Sequence, residues 1–170
     1  MHKMRGILLS AGIGLLASTV PMVAGAKTTN LPKSYQGSWY GYVSSEKTGK
    51  TTTRAFAKMT LSGKKMNYGV YYTTKANLKP LTWAMSFKVP VTVTKKVNTK
   101  TKKVTYRLGS KLAEANFATL SLVKVNVNHH QVTALREKID GVGKVYAFRQ
   151  PTKSHRWDKT LDLTDLMADY

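Results

Sequence analysis

Trp83-Ala84-Met85-Ser86-Phe87-Lys88-Val89-Pro90-Val91-Thr92-Val93 alternates from end to end. Trp83, Met85, Phe87, Val89, Val91 and Val93 take every second position, with small, polar or charged residues and one proline between them. A period of two places all six apolar side chains on one face of a β-strand. Pro90 has no N–H to give a ladder, so this strand has an edge, a bulge or a bend there.

The same pattern extends in both directions. Downstream, the basic and polar run Lys95 to Lys103 leads into Val104, Tyr106 and Leu108, which alternate with Thr105 and Arg107. That is a long hairpin with a lysine-rich tip. Upstream, Trp39 to Val43 and Ala55 to Leu61 read as strands. Ser62-Gly63-Lys64-Lys65 is a turn, and Met66, Tyr68, Val70 and Tyr72 line up on the strand after it. Toward the C-terminus, Phe117 to Val127 alternates less cleanly, and Gln131 to Ile139 fits a strand or a short helix. Asp140-Gly141-Val142-Gly143 is a turn signal, and Lys144 to Arg149 is a last strand. About eight strands at hairpin spacing predict an all-β antiparallel barrel or sandwich. Full closure would hide the strand edges that otherwise template aggregation.

The first residues read differently. His2, Lys3 and Arg5 form a basic start, Gly6 to Ala26 carries no charge, and the run ends in Val23-Ala24-Gly25-Ala26. This is the pattern of a secretory signal, with Ala24 and Ala26 at an Ala-x-Ala site and cleavage after Ala26. The expected organisation is a signal peptide over 1–26, a barrel domain over 27–157 and an acidic tail over 158–170. The tail holds Asp158, Asp162, Asp165 and Asp169, and Leu161, Leu163, Leu166 and Met167 suggest a short helix or arm.

The 170-residue chain has 28 basic and 8 acidic residues, a formal charge of +20, and no cysteine. Without Lys3 and Arg5 the exported chain carries +18, from 26 basic and 8 acidic residues. The lack of cysteine excludes a disulfide scaffold, a thiolate zinc site, an Fe–S cluster, a cysteine nucleophile and a lipoprotein anchor. Export without cysteine is commoner in Gram-positive bacteria than in compartments that form disulfides, and a chain of this size can bury a core without them.

Lys33-Ser34-Tyr35-Gln36-Gly37-Ser38-Trp39-Tyr40 places Gly-x-Trp at the head of the first strand, and Arg149 ends the last. This resembles the lipocalin and wider calycin pattern. The segment from Leu31 to Tyr40 is also similar to the opening of small secreted proteins of lactobacilli. The resemblance implies an eight-stranded barrel in which Gly37, Trp39 and Arg149 meet at the closed end. Gly37 would let backbone approach closely, Trp39 would plug the floor, and Arg149 would lie over its ring. The roles implied for these three are structural, and a fold does not fix a function.

Signs of catalysis are few. His129 and His130 are adjacent, so on a strand they would point to opposite faces, and the run Asn126 to Gln131 reads as a solvated turn. There is no His-x-x-x-His pair and no Gly-x-Ser-x-Gly elbow. Only Glu46, Glu114, Glu137 and Asp140 supply carboxylates within 27–157, and Glu137 has Arg136 and Lys138 as pairing neighbours. A non-enzymatic protein without metal or cofactor is expected.

Charge is the stronger signal. After residue 26 lysines outnumber arginines 21 to 5. Lysine is a flexible point charge suited to diffuse attraction. The densest run is Lys95, Lys96, Lys100, Lys102 and Lys103, and Lys64-Lys65 is a second tip. These tips would gather anionic cell-wall polymer, such as teichoic and lipoteichoic acids, or an anionic membrane surface. Alternatively they form a solvated face that keeps the protein soluble. Tyr40, Tyr42, Tyr71 and Tyr72 fit barrel packing better than nucleic-acid stacking. A second expectation is a carrier of a small apolar ligand, its cavity lined by Met59, Met66, Tyr68, Trp83, Met85, Phe87 and Tyr106 unless these side chains simply fill the core.

Overall fold

The computed structural model describes residues 28–110, 116–139 and 143–154, with Phe87, Asn116 and Phe117 described as backbone. The expected signal segment with Ala24 and Ala26, and the expected helix or arm over 158–170, lie outside the described residues.

Eight antiparallel strands close into one barrel in simple up-and-down order. They are β1 (Gly37–Thr48), β2 (Thr51–Ser62), β3 (Lys65–Thr73), β4 (Thr82–Val97), β5 (Val104–Ser110), β6 (Asn116–Val127), β7 (His130–Ile139) and β8 (Gly143–Phe148). Gln131 to Ile139 is thus strand and not helix. β8 pairs with β1 through Phe148 and Tyr40, which closes the ring.

Alternation explains the inside. Trp39, Val43, Ala57, Met59, Leu61, Met66, Val91, Val93, Tyr106, Leu108, Ala118, Leu120, Leu135, Val145 and Ala147 form the core. Val91, Val93, Leu108, Leu120, Leu135 and Ala147 are wholly buried, and Trp39, Met59 and Leu61 nearly so. No water-sized space touches side chains buried to that degree, so this part of the barrel is filled by its own side chains.

Strand β4 departs from strict alternation once. Val70 faces Met85 but Tyr71 faces Trp83, so Ala84 is an extra residue in the ladder. A bulge of this kind shifts the face of everything beyond it. Met85 therefore shares a face with the core residue Met66, whereas Trp83 turns to the outer wall and is 59% exposed. The expectation that all six apolar residues share one face fails at Trp83 for this reason. At Pro90 the ladder with β3 stops, and the N–H of Val91 donates to the carbonyl of Lys64 at 3.0 Å. Beyond it the incoming chain takes over the edge: Thr28 bridges to Thr94, and the N–H of Thr29 donates to the Val93 carbonyl at 2.8 Å.

The segment from Leu31 to Gln36 then turns under the barrel. Leu31 and Tyr35 are buried in the core. The Tyr35 ring meets the edge of Tyr106 at 4.9 Å, and its hydroxyl accepts from the Leu122 N–H at 3.3 Å. Trp39 donates its indole N–H to the Tyr35 carbonyl at 2.7 Å. Arg149 lies over the Trp39 ring at 3.6 Å. Its guanidinium donates to the carbonyls of Gln36 at 2.6 Å, Ser34 at 2.7 Å and Ser38 at 3.4 Å. Gly37 has φ +92, and a Cβ there would stand 3.0 Å from the Arg149 Nη1. Only glycine gives both that backbone and that approach without strain.

Candidate functional site: a basic barrel end and an aromatic wall

Up-and-down order fixes which turns share an end. The start of β1, the β2–β3, β4–β5 and β6–β7 turns and the exit of β8 all lie at the end that Trp39 and Arg149 close. Lys64-Lys65 and the hairpin tip with Lys95, Lys96, Lys100, Lys102 and Lys103 therefore lie at the same end, and all seven are exposed. Lys33, in the turn beneath the barrel, joins them. The described carboxylates are Glu46, near the far end of β1, and Glu137, inside the barrel. Among the described residues, then, the closed end has cations and no acid.

The tip is built rather than frayed. The Asn98 N–H donates to the Lys103 carbonyl at 2.9 Å. The Asn98 Oδ1 accepts from the N–H of Lys100 at 3.0 Å and of Thr101 at 2.9 Å. An asparagine side chain that mimics backbone in this way fixes a turn. Lys102 takes a left-handed conformation at φ 56. The tip lysines are thus carried on an ordered backbone.

Of the expected cavity residues, Met59, Met66, Tyr68, Met85 and Tyr106 turn inward. Met59, Met66 and Tyr106 are buried in the filled core, Tyr68 packs against it, and Met85 is half-buried. Trp83 stands outside, and the Phe87 side chain lies outside what is described. The alternation that nominated them as one set could not show that the bulge at Ala84 turns Trp83 away from it.

Glu137 is the other surprise of the interior. It faces Leu120 on β6 and Val145 on β8, and is 5% exposed. It does not pair with Arg136 or Lys138, because successive strand residues point to opposite faces. Arg136 instead donates to the Ser121 hydroxyl on the outer face at 3.1 Å. Burial pushes the Glu137 carboxyl up to about 7. Burial also raises Tyr35, although its bond from Leu122 opposes this, and lowers Arg149. His129 and His130 are exposed at the β6–β7 turn, and no three metal-ligating side chains gather among the described residues.

The outer wall carries a feature the sequence reading missed. Register aligns Tyr42 of β1, Phe56 of β2, Tyr71 of β3 and Trp83 of β4 in one row across the wall. Tyr42 and Phe56 meet at 5.7 Å between ring centres, and Phe56 is wholly buried. The adjoining row is Tyr40, Lys58, Gly69 and Ser86. A side chain at Gly69 would meet the Met85 carbonyl at 2.7 Å and the Tyr71 ring at 3.1 Å. The glycine thus makes room for Tyr71 to lean across it toward Lys58. The Lys58 ammonium lies 5.2 Å from the centre of the Tyr71 ring and 5.7 Å from that of Tyr40. A groove of about 340 Å³ opens here, lined by Tyr40, Lys58, Tyr71, Lys79, Leu81, Gln150 and Pro151. Tyr40, Tyr42 and Tyr71, expected to pack the barrel, therefore lie half-buried on its outer wall. The signal that could have found this row is the one that hid it: the register and the Ala84 bulge, which no single strand reveals.

Comparison with known protein families, with curated proteins and with solved structures finds no match.

Proposed function

We propose that this protein is an exported, non-enzymatic barrel that holds to anionic cell-envelope polymer through its closed end. The observation that carries the reading is the gathering of two lysine-rich turns at that end, with no carboxylate beside them among the described residues. Lysines presented on turns attract a flexible polyanion by releasing its counterions, and they need no shaped pocket to do so. Phosphate-bearing wall polymers are the partner that fits best, and an anionic membrane surface offers the same chemistry. The signal-like start at residues 1–26 and the +18 charge of the remainder support export to where such polymers are. The lipocalin resemblance is supported by the stacking of Arg149 on Trp39 beside Gly37. It would also suit a carrier of a small apolar ligand, but the filled part of the interior weighs against that.

The test is sedimentation of the protein with isolated Gram-positive cell walls across a salt series. Binding should fall steeply as salt rises. Replacing Lys95, Lys96, Lys100, Lys102 and Lys103 by Gln should weaken it and reduce the salt slope by about 3.5, at roughly 0.7 per contact. Equal binding by the two proteins would refute the role of the tip.

A further inference from the structure

The groove on the outer wall is separate from the lysine turns, and its chemistry is more selective than theirs. Lys58 is not a free surface cation. Its ammonium is held against two tyrosine rings, at 5.2 and 5.7 Å, so its direction is set before anything binds. Lys79 lines the same groove from the segment between β3 and β4. Among the described residues, no carboxylate lines it. The Tyr40 and Tyr71 hydroxyls and the Gln150 amide can each donate and accept, which is what a hydroxyl-rich ligand demands. Beside Tyr71 in the register stands Trp83, an indole 59% exposed on a strand. A large exposed aromatic beside a polar groove marks a contact surface.

We infer that this groove binds one sugar-bearing phosphate unit of an anionic polymer, with the phosphate on Lys58 and Lys79 and the sugar ring against Trp83. The inference rests on the anionic-polymer reading above and adds to it a site that selects for the sugar. Nucleic acid fits less well. Sequence-tolerant binding of single strands needs a succession of free ring faces. Here the Lys58 ammonium already occupies faces of Tyr40 and Tyr71.

The experiment is calorimetric titration of the purified protein with three probes of matched charge. They are a poly(glycerol phosphate) oligomer, the same oligomer bearing hexose on its glycerols, and single-stranded DNA. The hexose-bearing oligomer should bind about tenfold more tightly than the bare one and than DNA. Trp83→Ala should abolish that preference and Trp83→Phe should keep most of it, so a folding defect in one variant leaves the other to decide. Lys58→Gln with Lys79→Gln should weaken the hexose-bearing oligomer about tenfold. The five tip substitutions should weaken both oligomers alike and leave their ratio unchanged. Equal binding of the two oligomers, a preference untouched at Trp83, or DNA bound as tightly as the hexose-bearing oligomer would overturn the groove assignment while leaving the basic end intact. Failure of every phosphate polymer to bind would overturn both.

Discussion

Glu137 is held inside the barrel between Leu120 and Val145, and the cost of ionising it there can be read from pH. Unfolded, it releases its proton near 4.5; folded, it keeps it to about 7. Below 4.5 both states hold the proton and the residue adds no pH dependence. Between the two values only the unfolded state ionises, so stability falls as pH rises. Above 7 the loss is complete, at about 3 kcal/mol from 1.36 kcal/mol per pKa unit. Glu137→Gln should therefore raise the urea midpoint strongly at pH 8 and little at pH 4; an equal shift at both would contradict the burial. Arg149 offers a second residue-scale test. It joins three carbonyls of the chain beneath the barrel to the face of Trp39. Arg149→Met keeps part of the stem and removes the donors, and should cost about 2 kcal/mol in urea unfolding. Arg149→Lys should recover only part of this, since one ammonium cannot reproduce the planar fork. No loss in either variant would mean that water satisfies those carbonyls as well.

The β4–β5 hairpin and the β4 bulge show what an element adds to its residues. Asn98 caps two amides of the hairpin tip through one side-chain oxygen. Asn98→Ala should speed hydrogen exchange at Lys100 and Thr101 and leave global stability within about 0.5 kcal/mol, as for exposed substitutions elsewhere. Unchanged exchange would show that the Asn98–Lys103 backbone bond alone sets the turn. Much of this element was legible in sequence. The alternation of Met85, Val89, Val91 and Val93 gave the strand, and Pro90 marks where the β3 ladder ends. Trp83 was not legible, because one extra residue at Ala84 reverses its face and nothing in a single strand's pattern announces a bulge. Glu137 was misjudged for a related reason. Its sequence neighbours Arg136 and Lys138 look like partners, yet strand geometry sends them the other way.

Across the whole molecule, topology turns scattered charges into a face. Two lysine turns more than thirty residues apart in sequence come to the same end of the barrel only because eight strands run up and down and close. The resemblance carried by Gly37, Trp39 and Arg149 implied that these three meet, and Arg149 lies over the Trp39 ring and against Gly37. The aromatic row on the wall did not show in sequence, because Tyr42, Phe56, Tyr71 and Trp83 come from four strands and share a line only through register. The closed-end claim can be mapped directly by following backbone amide resonances of the isotopically labelled protein during titration with bare poly(glycerol phosphate). The largest and most salt-sensitive shifts should fall at Gly63 to Lys65 and Lys95 to Lys103. Shifts centred instead on Gly49, Lys50 and Lys75 at the opposite end, or spread evenly over all exposed lysines, would contradict the account.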